Sequence, residues 1–152
     1  MQRVCMGGTF DPFHRGHEAL LQKAIDISQE VLIGLTTDKR ATKNRPDANV
    51  SPYADRKRTL ESWLRSKALH HRVQIVPLED NWGPAALEER FDGIIVSQET
   101  EKMAKKLNQV REDNGITSLK VIVVPMIEAY DGNRISSSRI RSGEIDSKGD
   151  KA

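Results

Sequence analysis

Apolar residues along this chain alternate between two kinds of pattern. Short runs, Val4-Cys5-Met6, Val31-Leu32-Ile33-Gly34-Leu35, Val73-Gln74-Ile75-Val76, Ile94-Ile95-Val96 and Val121-Ile122-Val123-Val124, are bounded by glycine, proline or charged residues and predict buried strands. Between His17 and Ser28 the spacing changes: Leu20, Leu21, Ala24, Ile25 and Ile27 recur at three and four, the stripe of a helix with one face on a core. Leu60, Trp63 and Leu64 mark a second helix that begins at Ser51-Pro52, with serine as its cap and proline in its first turn. Met103, Leu107 and Val110 mark a third, ending near Gly115. Strands separated by helices cannot join as hairpins and imply parallel βαβ units with right-handed crossovers. The expectation is one doubly wound, Rossmann-like α/β domain with a parallel sheet over residues 1–145, and a flexible polar C-terminal tail over 146–152.

In such sheets ligands bind beyond the carboxyl ends of the strands, so the loops after the first, second, fourth and fifth strands should converge on a site. The loop after the second strand, Thr36 to Val50, is polar, rich in Lys and Arg, aperiodic and long enough to be functional.

The chain has 152 residues, enough for one real core. Its 24 Lys and Arg nearly balance its 22 Asp and Glu, and the basic clusters lack interleaved aromatics, so nucleic acid is not the expected partner. The single Cys5 excludes an internal disulfide and a Cys-rich zinc site, which suits a reducing cytoplasm. No apolar run reaches the roughly 20 residues of a bilayer-spanning helix, and no membrane association is expected.

Two strings carry candidate chemistry. The first, Gly7 to His17 (GGTFDPFHRGH), joins a strand to a helix. Gly7 and Gly8 permit close backbone approach, Thr9 offers a hydroxyl, and Gly16 keeps the helix start open where amides and the positive dipole end favour an anion. His14 and His17, three apart, both can face that anion. Alone, the two histidines read equally well as helix caps. No third ligand at zinc spacing accompanies them. The second string, Arg134 to Arg141 (RISSSRIR), follows the turn Asp131-Gly132-Asn133, so Ser136, Ser137 and Ser138 stand at a helix start with Arg134, Arg139 and Arg141 nearby. Capping alone would also explain these serines.

The first string closely resembles the HxGH signature of the nucleotidyltransferase superfamily, and the second the ISSSxIR signature of the same superfamily, in the expected order and each after a predicted strand. Together with TTDKRATK after the second strand and IIVSQETEKMAKKLNQVR after the fourth, they resemble most closely the archaeal type of phosphopantetheine adenylyltransferase. The resemblance implies an adenylyltransferase that moves AMP from ATP to 4'-phosphopantetheine, giving dephospho-coenzyme A and pyrophosphate in coenzyme A biosynthesis. It assigns His17 and His14 to catalysis and Thr9, Phe10, Gly16, Ser97, Glu99, Ser136, Ser137, Ser138 and Arg139 to ATP. Thr9, Lys43 and Lys39 would meet the acceptor, Lys43 matching the bacterial spacing better; a solvated loop face is the other reading of both lysines. Asp11 is either a loop-organising acceptor or an outer-sphere partner of Mg²⁺, which would arrive with ATP and be held largely by nucleotide and water.

The chain departs from the bacterial enzymes, whose Arg-Gly pair after the fourth strand is replaced here by Val96-Ser97-Gln98-Glu99-Thr100. Alternatives are another phosphorylated acceptor, as in a cytidylyltransferase or FAD synthetase, or a non-catalytic nucleotide sensor. The oligomeric state stays open, a monomer included. The acceptor phosphate, with a second pKa of about 6, is its own ionised nucleophile, so direct in-line displacement without a general base is expected.

Overall fold

In the computed structural model, which describes residues 1–43, 49–80, 83 and 88–152, each predicted strand forms. They are β1 (Arg3–Gly8), β2 (Glu30–Thr36), β3 (Val73–Leu78), β4 (Gly93–Val96) and β5 (Lys120–Val123), all parallel in the order β3-β2-β1-β4-β5. The helices are α1 (Arg15–Ile27), α2 (Asp38–Ala41), α3 (Tyr53–Ser66), α4 (Glu101–Asp113) and α5 (Ser137–Arg141). Chain order reverses across β1 and β4, the place where open α/β sheets bind ligands.

Period-two alternation divides each central strand between two layers. Val4 and Met6 of β1 and Val31, Ile33 and Leu35 of β2 pack with Leu21, Ala24 and Ile25 of α1 and Leu60 and Leu64 of α3. Cys5 and Leu32 face the other way, with Phe91, Leu107 of α4 and Leu119. Burial pushes the Cys5 thiol up to about 12, so it is a packing group and not a nucleophile. Among the described residues no helix is long and apolar enough to cross a membrane.

Three expectations change. Ser51 does not cap α3: Pro52 occupies the cap position, while the Ser51 amide donates to Asp11 Oδ2 at 2.8 Å and its carbonyl accepts from Arg56 Nε at 2.8 Å. The stretch expected as one loop after β2 contains the short α2, capped by Thr37; its residues 44–48 lie outside the described residues. The C-terminal end is tied down where fraying is expected. Ser147 O accepts from the Arg15 amide at 3.0 Å, Gly149 O accepts from the Tyr130 amide at 2.8 Å, and Ile145 is buried with Ala129 and Ile135. Backbone pairing outweighs the polar composition because this segment closes a small third core.

Candidate active site

The start of α1 shows why two histidines stand three apart. His14 is the cap residue: its Nδ1 accepts the Gly16 amide at 3.0 Å, and His17 Nδ1 accepts the His14 amide at 3.1 Å. Two amides without helical partners are thereby satisfied by imidazoles. Burial, reinforced for His14 by the Arg134 charge and for His17 by His14, lowers their pKa values to about 4 and about 3. Both rings are therefore neutral near pH 7, and with each Nδ1 accepting, each proton sits on Nε2. Capping engages only Nδ1 of each ring, so the capping and ligand-binding readings that the sequence sets against each other are compatible.

Phe10 holds the rings in place. Its backbone is left-handed (φ 53°), a conformation that costs a non-glycine residue about 1–3 kcal/mol and directs its ring into the core. There it contacts His17, with centroids 4.9 Å apart, and the His14 and His17 rings stack at 3.7 Å.

These residues open into a cleft of about 300 Å³ lined by the motif loop, the carboxyl end of β4 and the segment leading into α5. Thr9, Phe10, His14, Gly16, His17, Ser97, Glu99, Ser136, Ser137 and Ser138 all line it, so most of the expected nucleotide set is brought together. The two signatures also touch: Ser137 Oγ donates to Pro12 O at 3.2 Å and Arg141 Nη1 to Asp11 O at 2.7 Å. Ser136 caps α5 by accepting the Arg139 amide at 3.3 Å, and Ser97 pairs with Thr100. The Gly16 amide donates to His14, and the absent side chain leaves room for the ring above it.

Arg139 is the clearest departure from expectation. It does not line the cleft, because Glu144 accepts from its Nε at 2.9 Å, Asp131 pairs with its Nη2, and Nη1 reaches Arg134 O. Arg134 and Arg141 line the cleft instead. Arg134 forms an ion pair with Glu99 across it, so Glu99 meets a cation where a nucleotide contact was expected.

A second cavity, about 190 Å³ and mostly apolar, adjoins the first and shares Met6, Gly7, Gly8, Ile95, Val96 and Thr100 with it. Its floor is bare sheet. Gly7 and Gly34, paired in register on the α4-facing side of β1 and β2, leave no side chains there, and Leu78, Met103, Ala104 and Leu107 form walls. Arg40 and Thr36 line it as well, whereas Lys39 and Lys43 are exposed and line neither cavity. Sequence reading missed Arg40, hidden in a run of cations.

It also missed Arg56, which is 2 % exposed. The signal was present: Arg56, Leu60 and Leu64 recur every four residues, placing a charge on the buried stripe of α3. Acidic side chains lining the cleft are Asp11 and Glu99, and among the described residues no group of three His, Cys, Asp or Glu is arranged to hold a metal ion.

Residues 5–143 match the cytidylyltransferase-like family. The phosphopantetheine adenylyltransferase of Methanopyrus kandleri is 39% identical over 145 residues, covering 95% of this chain and 91% of its own. That of Methanosarcina barkeri is 42% identical over 152 residues, covering 98% and 92%. The chain belongs to the phosphopantetheine adenylyltransferase family. A solved structure of a protein of unknown function from Archaeoglobus fulgidus, 32% identical, superposes with a TM-score of 0.72 over 82% of this chain and 89% of that one. The polar cleft and the apolar cavity meet at the carboxyl ends of β1 and β4.

Proposed function

We propose that this protein transfers the adenylyl group of ATP to 4'-phosphopantetheine, releasing pyrophosphate and dephospho-coenzyme A. The observation that carries this reading is the junction of the two cavities at the carboxyl ends of β1 and β4. One is lined by hydroxyls, imidazoles and arginines suited to a triphosphate. The other is a slot of bared sheet suited to an uncharged, flexible arm.

The acceptor phosphate attacks the α-phosphorus in line with the departing pyrophosphate: one P–O bond forms and one breaks, with no covalent enzyme intermediate. An ionised phosphate needs no base, so the protein's contribution is placement and charge stabilisation. The Nε2–H groups of His14 and His17 donate to phosphate oxygens, and His17 meets the charge that builds at the α-phosphate. Ser136, Ser137, Ser138, Arg134 and Arg141 take the β- and γ-phosphates, with Ser97 on the nucleotide. Thr9 and the Phe10 amide hold the acceptor phosphate, with Arg40, Lys43 and Lys39 supplying positive charge around it. Mg²⁺ arriving with ATP would neutralise phosphate charge and would be held largely by nucleotide and water; Asp11, whose Oδ2 accepts from the Ser51 amide and so organises the loop, would be available to it only as an outer-sphere acceptor.

Pyrophosphate release with ATP, Mg²⁺ and a panel of acceptors tests the reading. Turnover with 4'-phosphopantetheine and none with pantetheine is expected, because the missing phosphate is both nucleophile and anchor. Faster turnover with FMN or phosphocholine would reassign the acceptor, and no turnover with any would mark a nucleotide sensor.

A further inference from the structure

Behind the two cavities lies a buried line of donors and acceptors. Arg56 Nη1 donates to Thr36 O at 2.9 Å and to Thr9 O at 3.2 Å and lies 3.4 Å from Thr36 Oγ1; Thr36 Oγ1 lies 2.9 Å from Thr9 Oγ1. Its Nε donates to Ser51 O at 2.8 Å and its Nη2 pairs with Asp38 at 2.8 Å. One guanidinium therefore joins the motif loop, the end of β2, the start of α2 and the approach to α3.

A guanidinium has N–H donors and no acceptor, whereas a hydroxyl has one proton and two lone pairs. Facing Arg56, Thr36 must turn oxygen towards the cation and its proton away, and the nearest acceptor is Thr9 Oγ1. With that lone pair occupied, the Thr9 proton points on. Thr36 lines the apolar cavity and Thr9 the polar cleft, so the line ends where the two meet.

We propose that Arg56 and Thr36 are positioning residues that polarise a hydroxyl relay, Arg56 to Thr36 to Thr9, and so present the Thr9 hydroxyl as a ready donor to the acceptor's phosphate. The inference rests on the functional reading above and adds two residues that act through Thr9, Arg56 from behind the cavities and Thr36 from the wall of the apolar one. Its energetic logic is preorganisation: a hydroxyl already aimed needs no reorientation when the dianion arrives.

Thr36→Val keeps the shape of the side chain and leaves Arg56 its bonds to both carbonyls, so it tests the relay without removing the buried cation. Losing a hydrogen bond to a charged group costs about tenfold or more, so the KM for 4'-phosphopantetheine should rise by about that factor. The ATP Kd should stay within about twofold and Tm should move little, while Thr36→Ser, which keeps the hydroxyl, should restore the wild-type KM. In a Thr9→Val background Thr36→Val should add nothing further. Arg56→Lys should reproduce the KM effect with a larger fall in Tm. The relay is overturned if Thr36→Val leaves the acceptor KM unchanged, raises the ATP Kd as much, or behaves like Thr36→Ser. A wild-type protein that releases no pyrophosphate with 4'-phosphopantetheine defeats the functional reading itself; an active wild type matched by Thr36→Val defeats only the relay.

Discussion

Gly16 lies directly beneath the His14 ring: its amide donates to His14 Nδ1 at 3.0 Å, and a Cβ at position 16 would come within 2.8 Å of His14 Cε1. The glycine of HRGH is needed because the imidazole folds back over the first turn of α1. Gly16→Ala should displace that ring and break its cap. We expect kcat to fall at least tenfold, with ATP affinity reduced less, in single-turnover and binding assays; wild-type kcat would mean the ring position does not matter.

His17 both caps and faces the cleft, so its removal has two separable effects. Loss of the cap and of the contacts with Phe10 and His14 should cost about 1 kcal/mol of stability in urea titrations. Loss of the Nε2–H donor should lower kcat by about 10² to 10³. A folded His17→Ala protein with near-normal turnover would leave the histidine as a cap alone.

The lowered pKa values of His14 and His17 make a prediction about acid. The neutral rings are favoured only in the folded protein, so the unfolded chain binds more protons below its histidine pKa of about 6.5. Stability is complete above that value and is lost as pH falls towards about 4 for His14 and about 3 for His17. Tm should drop between pH 7 and pH 4.5, and His14→Asn should make the drop shallower. An equal slope in both proteins would contradict the burial of a neutral ring.

Gly34 pairs with Gly7 to bare the floor of the apolar cavity. A Cβ at position 34 would stand 3.1 Å from Leu78 Cδ1 and 3.3 Å from Leu78 Cβ, pushing that side chain into the space. Gly34→Ala should raise the KM for 4'-phosphopantetheine about tenfold, equivalent to 1.4 kcal/mol, and leave ATP binding alone. Calorimetric titration with ATP alongside acceptor kinetics checks both halves.

Glu99 holds Arg134 by an ion pair at the cleft, and under the proposed function a nucleotide triphosphate would compete for the same cation. An exposed pair of this kind holds its partners weakly, so Glu99→Gln should tighten ATP binding by about two- to fivefold, less at high salt. Weaker ATP binding in Glu99→Gln would make Glu99 a direct nucleotide ligand.

Much of this architecture was legible from the amino-acid order alone, and the reason is range. Strand runs such as Val31 to Leu35, the α1 stripe of Leu21, Ala24 and Ile25, and the His14–His17 spacing are periodicities that operate within a few residues, so local propensity and burial report them. Tertiary packing decided what local pattern leaves degenerate. Arg134, Arg139 and Arg141 are equivalent in sequence, but Asp131 and Glu144 hold Arg139 outside the cleft while the other two line it. Gly7 and Gly34, 27 positions apart, become one bare floor only when β1 pairs with β2 in register. Residues 146–152, polar enough to read as a frayed tail, are held by Arg15 and Tyr130 amides contributed by distant segments. A side chain's chemistry is written in the sequence; the surface it faces depends on which remote partner satisfies its charge or its hydrogen bonds, and that is settled only when the layers close.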